Sequence, residues 1–86
     1  MKLVFAGTPE FAAVSLDSLL QAGHEIVLVL TRPDRRAGRG LKPQFSAVKQ
    51  RALDRGLPLL QPSRLDDPAT LGAIAAARPE AAVVAA

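Results

Sequence analysis

Lys2-Leu3-Val4-Phe5-Ala6-Gly7-Thr8-Pro9-Glu10-Phe11-Ala12 is the stretch that decides the architecture. Its first half is a short apolar run closed by glycine, the pattern of a buried strand. Its second half opens a helix: Thr8 can cap free backbone N–H groups, Pro9 fits the first helical position, and Glu10 suits the positive end of the helix dipole. Ala12, Leu16 and Leu19 then recur at helical spacing, with Ala13 and Leu20 widening the stripe, and Gly23 supplies a C-terminal cap. A β-branched segment, Glu25–Thr31, follows at once. Strand, helix and strand in this compass make a βαβ unit.

Working outward, the next segment is Thr31-Arg32-Pro33-Asp34-Arg35-Arg36-Ala37-Gly38-Arg39-Gly40-Leu41-Lys42-Pro43. Arg32, Arg35, Arg36, Arg39 and Lys42 crowd into it with Asp34 as the only acid. Beyond it, Ser46 can cap a second helix carrying Phe45, Val48 and Ala52 at i, i+3 and i+7, and Gly56 ends it. Leu57–Leu60 reads as a brief third strand, with Pro58 near its start where a missing donor is tolerated. Asp67 and Pro68 open a third helix with Leu71, Ile74 and Ala75 on one face, and Pro79 stops it. Glu80–Ala86 is a fourth strand. The fold class is therefore α/β, a Rossmann-like open parallel sheet with flanking helices, truncated after about four strands. The common strand order 3-2-1-4 places the first strand beside the fourth, with an open edge beyond.

Composition bounds the rest. With 86 residues there is material for one small domain or a piece of a larger one. A chain of this size buries only about 60–65% of the surface its unfolded form exposes, so its independent stability is marginal. The last strand is apolar to its final residue, where termini normally lie in solvent. An edge strand of a complete four-stranded domain is one account; truncation is favoured because polar protection is missing. No cysteine is present, which excludes a disulfide framework and a thiolate zinc site and is compatible with a reducing cytosol. No apolar run approaches the roughly 18–20 residues of a membrane span, and the N-terminus is too short for a signal peptide. The expectation is a cytoplasmic location and no membrane partner.

A cationic, glycine-punctuated loop leaving the carboxyl end of a buried strand sits where open α/β sheets bind ligands. Its bland account is a solvated charged loop. Density with little compensation favours anion binding, and Gly38 and Gly40 beside Arg39 permit close approach to a partner. Nucleic acid is the leading partner, met on its phosphates, because no aromatic interleaves the arginines for base stacking. That reading requires the guanidinium groups, carried on a hairpin-like excursion beyond the sheet, not to be held by carboxylates of the same molecule. Lys49, Arg51 and Arg55 on the next helix either extend the patch or form a solvated face, the second being favoured.

The turn after the first strand carries one glycine where a dinucleotide fingerprint needs three, with Pro9 in the second glycine's place and Glu10 in the anion-binding turn. A nucleotide cofactor there is opposed, but Gly7, Thr8 and Pro9 can still line a cleft at the strand's carboxyl end. His24 reads as a turn residue, and Asp66 and Asp67 as a helix start. There is no metal-ligand spacing, and no catalytic residue can be named.

At Phe5-Ala6-Gly7-Thr8-Pro9-Glu10-Phe11-Ala12, joined to Thr31-Arg32-Pro33-Asp34 and Ala37-Gly38-Arg39-Gly40, the chain closely resembles the methionyl-tRNA formyltransferases. The likeness continues through Ser46-Ala47-Val48-Lys49, Gly56-Leu57-Pro58, Gln61-Pro62 and Arg78-Pro79-Glu80, and so covers essentially all of the chain. The first two motifs together are specific, since relatives such as glycinamide ribonucleotide formyltransferase are not expected to carry both. Arg36 stands where the family often has proline, and Gln44-Phe45 is an unusual variant. The resemblance implies transfer of a formyl group from 10-formyltetrahydrofolate to the amino group of methionyl initiator tRNA. It also implies that residues 1–86 are the N-terminal portion of a Rossmann-like formyltransferase domain, with a C-terminal β-barrel domain elsewhere, in a monomer. By the same resemblance the basic loop meets the tRNA acceptor arm, and Arg39 matches the family's critical arginine. The catalytic Asn-x-His-x-Ser motif, the catalytic aspartate and the main folate-binding segment are expected downstream, so these residues alone should be inactive. A small non-catalytic RNA-binding module is the alternative.

Overall fold

The computed structural model describes residues 1–37 and 42–85. Among the described residues six strands and three helices follow in the order β1 (Lys2–Gly7), α1 (Glu10–Gln21), β2 (Glu25–Leu30), β3 (Arg35–Ala37), β4 (Lys42–Gln44), α2 (Ala47–Arg55), β5 (Leu59–Leu60), α3 (Pro68–Ala77) and β6 (Ala81–Ala85). The main sheet has the order β5-β2-β1-β6, and every pair in it is parallel. The expected α/β class and strand order are both present. Parallel neighbours need crossovers, and α1, α2 and α3 are the connections that supply them.

Two clusters sandwich the sheet. On one face Leu3, Phe5, Ile26 and Val29 pack with Ala12, Ala13 and Leu16 of α1 and Val48 and Ala52 of α2. Phe5, Leu16, Val29 and Val48 are fully buried there. On the other face Val4, Ala6, Leu28 and Leu30 pack with Val27 and Leu60 of the sheet and with Ala73, Ile74 and Ala77 of α3. Alternation along β1 assigns successive side chains to the two faces, β2 does the same apart from an irregularity at Val27 and Leu28, and burial on both sides explains their near-continuous apolar runs.

Local details differ from expectation in four places. Thr8 does not cap α1: Pro9 occupies the cap position with no side-chain hydrogen bond, and the Thr8 hydroxyl lies instead 3.4 Å from that of Thr31. Phe45 is exposed rather than part of the α2 core stripe, its ring lying 3.8 Å beneath the Lys49 ammonium. The buried face of α3 is rotated, with Thr70 buried and Leu71 exposed, because an alanine-rich helix gives apolar periodicity no contrast to work with. The third strand shrinks to Leu59–Leu60, although the Pro58 carbonyl still accepts from the Val29 N–H at 2.8 Å.

Caps elsewhere follow the sequence. Ser46 accepts from the Lys49 N–H, and α2 ends on Gly56 at φ 65, a left-handed angle that glycine adopts without strain. Asp67 accepts from the Ala69 N–H at the start of α3, and that helix ends in a left-handed Arg78 ahead of Pro79. β6 pairs only with β1 among the described residues, and Val84 on it is 69% exposed.

Candidate functional site

The carboxyl ends of β1, β2 and β6, with the segment after β5, frame a cleft of about 380 Å³. Gly7, Thr8 and Pro9 line one side, Leu30, Thr31 and Arg32 another, and Pro62, Leu65, Val84 and Ala85 complete it. Arg32 is the only charged residue among them. The turn that forms this wall is sterically tight. A Cβ on Gly7 would stand 2.7 Å from the Ala12 Cβ and 3.0 Å from the Ala85 carbonyl oxygen, so only hydrogen fits between α1 and β6.

Behind the wall lies a short row of hydroxyls. Those of Thr31 and Ser46 are 2.7 Å apart and buried, and Thr8 extends the row with a longer 3.4 Å contact to Thr31. The Thr31–Ser46 pair joins the last residue before the cationic segment to the first helix cap after it. It therefore closes the base of everything between.

The cationic segment carries the two arms of a hairpin. β3 and β4 are antiparallel, with Arg35 opposite Gln44, Arg36 opposite Pro43 and Ala37 opposite Lys42. Arg32 stands before the hairpin at the cleft rim, its Nη1 donating to the Pro33 carbonyl at 3.3 Å. Arg35 is exposed. The backbones of Arg36 and Lys42 lie in β3 and β4, whereas Gly38, Arg39 and Gly40 lie outside the described residues.

Asp34, the segment's one acid, is taken by other groups. Its Oδ2 accepts from Lys49 Nζ at 2.7 Å and its Oδ1 from Gln61 Nε2 at 2.7 Å. The Lys49 hydrogen bond holds its carboxyl below the usual carboxylate range, against an opposing effect of lost solvation. Among the described residues, neither Arg32 nor Arg35 comes within ion-pair distance of a carboxylate.

The cations of α2 behave differently. Lys49 pairs with Asp34, and Arg51 and Arg55 both face Asp17 of α1. Arg51 donates to Asp17 at 2.9 Å, a contact that raises its guanidinium above the ordinary value. Each of these three cations faces an acid. His24 precedes β2, at the opposite end of the sheet from the cleft. Asp66 pairs with Arg64 while Asp67 caps α3, as a helix start requires.

Sequence reasoning missed three participants: Gln61, Leu65 and the partnership of Asp34 with Lys49. The Asp34–Lys49 pair spans 15 positions, and no periodicity links groups that meet only through the fold. The one available signal was arithmetic: a lone acid inside a cationic segment invites a search for its partner.

An open parallel sheet with flanking helices and a cleft at its carboxyl edge defines a Rossmann-like domain. The chain belongs to the formyl transferase family, whose sequence profile matches residues 1–86. It is 56% identical over 86 residues to a methionyl-tRNA formyltransferase of Methylobacillus flagellatus, covering all of this chain and 28% of that relative. Similar matches are the methionyl-tRNA formyltransferases of Thiobacillus denitrificans, at 56% identity with 28% of its length covered, and of Albidiferax ferrireducens, at 57% with 29% covered. The chain thus spans little more than a quarter of the length of these relatives. Among the described residues no helix is long and apolar enough to cross a membrane.

Proposed function

We propose that this chain is the amino-terminal part of an enzyme that moves the formyl group of 10-formyltetrahydrofolate onto the amino group of methionyl initiator tRNA. Its share of the task is to dock the nucleic acid. The cationic hairpin would meet the phosphates of the acceptor arm, through Arg32, Arg35, Arg36, Arg39 and Lys42, with Gly38 and Gly40 allowing close approach. Gly7, Thr8 and Pro9 would border the cleft into which the aminoacyl end is led.

The observation that carries this reading is the placement of Arg32. It belongs to the cleft wall and stands immediately before the hairpin, so a strand followed along the hairpin arrives at the cleft. Among the described residues the cleft lining holds no aspartate, glutamate or histidine, and none of these lining residues offers a general base to the attacking amine. The residues here bind and orient; the proton transfer and the main folate contacts belong to the remainder of the enzyme. Cytoplasmic residence and a monomeric state are part of the same reading.

The test uses a chimaera in which this chain replaces the aligned segment of the Methylobacillus flagellatus relative. Arg39→Ala should weaken binding of charged initiator tRNA by about tenfold, the scale of one charge-assisted hydrogen bond, and leave folate affinity unchanged. Equal loss of both affinities would assign the hairpin to the fold and not to RNA.

A further inference from the structure

A carboxylate inside a segment that binds phosphate works against binding, since it repels the partner and cancels one released counterion. Asp34 is such a group, and its surroundings give it a different task. Its two oxygens face two different elements: Lys49 on α2 at 2.7 Å and Gln61 beyond β5 at 2.7 Å. The same Gln61 nitrogen donates to the Arg32 carbonyl at 3.1 Å. Lys49 is itself confined, with its side chain only 12% exposed and its ammonium 3.8 Å over the Phe45 ring. Phe45 directly follows β4, so one cluster grips the hairpin where it leaves the sheet and where it returns.

We propose that Asp34 is a positioning residue: bridging Lys49 and Gln61, it latches the root of the cationic hairpin and fixes the direction in which the arginines are presented. The proposal rests on the RNA-docking reading above and adds to it the device that orients the hairpin. A free hairpin must be ordered at the moment of binding, which lowers affinity; a latched one is ordered beforehand.

The charge makes the idea testable by sign. If Asp34 only tempers the local charge, Asp34→Asn removes a repulsive group and RNA binds more tightly. If it is a latch, binding weakens although the hairpin has become more positive. An amide presents its one acceptor oxygen to either Lys49 or Gln61 and turns an N–H₂ donor toward the other. Either one of the two contacts is lost, or Gln61 turns its own amide over to accept from the new N–H₂ and gives up its bond to the Arg32 carbonyl.

The experiment compares the parent chimaera with its Asp34→Asn and Gln61→Met variants. Gln61→Met alters no charge, so an electrostatic role for Asp34 leaves its RNA affinity untouched. Two readouts are taken: salt-dependent binding of an initiator-tRNA acceptor stem, and amide hydrogen exchange at Arg35–Ala37 and Gln44. A latch predicts faster hairpin exchange in both variants and affinity about 3- to 10-fold weaker in both, the scale of a lost hydrogen bond. Tighter binding by Asp34→Asn, or exchange unchanged in both variants, overturns the proposal. Faster exchange in variants of a parent that does not bind the stem at all upholds the latch and overturns the RNA reading instead.

Discussion

The β1–α1 turn and the β2–α2 excursion leave the same end of the same sheet but are held by different forces. Between β1 and α1 the chain has only Thr8 and Pro9, and the close approach of Ala12 and Ala85 to Gly7 leaves no alternative path. Between β2 and α2 it runs from Thr31 to Ser46, a span rich in arginine. The first connection is fixed by steric exclusion at a distance of ångströms. The second is held at its root by a few polar contacts, and in the proposed function its arginines are the groups that meet a partner. Changes in the turn should therefore register in stability, and changes in the excursion in binding.

The sharpest break of that contrast is Gly7→Ala. The added methyl would have to displace the Ala12 Cβ, which is fixed directly to the backbone of a packed helix, and the Ala85 carbonyl, which is backbone. Neither can swing aside as the end of a long side chain does. We expect a loss of about 2–3 kcal/mol, the range of overpacked sites, read as a lower urea midpoint with unchanged slope. A loss below about 0.5 kcal/mol, the scale of an ordinary surface substitution, would mean that α1 and β6 yield, and the two connections would then differ only in length.

A smaller effect is expected at the junction of the two regions. Ser46→Ala removes the partner of the buried Thr31 hydroxyl and the cap of α2, for about 1–2 kcal/mol in all. Thr31→Val keeps the cap and should cost less. If the two cost the same, the hydroxyl pair and not the cap carries the stability, and the excursion is anchored from within the core.

These two sites also show what could be read in advance. The βαβ unit was legible because Lys2–Ala6 and Glu25–Thr31 are buried on both faces, and burial forces an apolar run that composition alone betrays. The caps at Ser46 and Asp67 were legible because capping is a contact between near neighbours in sequence. Thr8 misled for the opposite reason. Its residue type suits a cap, but a tertiary contact to Thr31 claims its hydroxyl, and sequence-local rules do not see across 23 positions. The face of α3 was obscure because Ala69, Ala73, Ala75, Ala76 and Ala77 leave the helix apolar nearly all round. At the site, the arginine cluster could be found from charge density, whereas its latch through Asp34, Lys49 and Gln61 exists only once the sheet brings β2, α2 and β5 together.

The smallest expected effect follows from the carboxyl of Asp34. Its folded-state value lies below the ordinary one, chiefly through the hydrogen bond from Lys49. A depressed acid contributes stability that is fully present above the unfolded-state value and is lost as pH falls through the folded-state value. The hairpin root should therefore hold at neutral pH and loosen only in distinctly acid solution. Asp34→Asn, which has no proton to gain, should be insensitive over the same window. The difference in thermal midpoint between parent and variant should thus be constant near neutrality and shrink below the ordinary carboxylate range of about 4. A difference that stayed constant into acid would mean that Lys49 and Gln61 hold the neutral carboxyl as well as the charged one. In that case the excursion, like the turn, would be held by shape, and the division between steric and electrostatic control would disappear at its root.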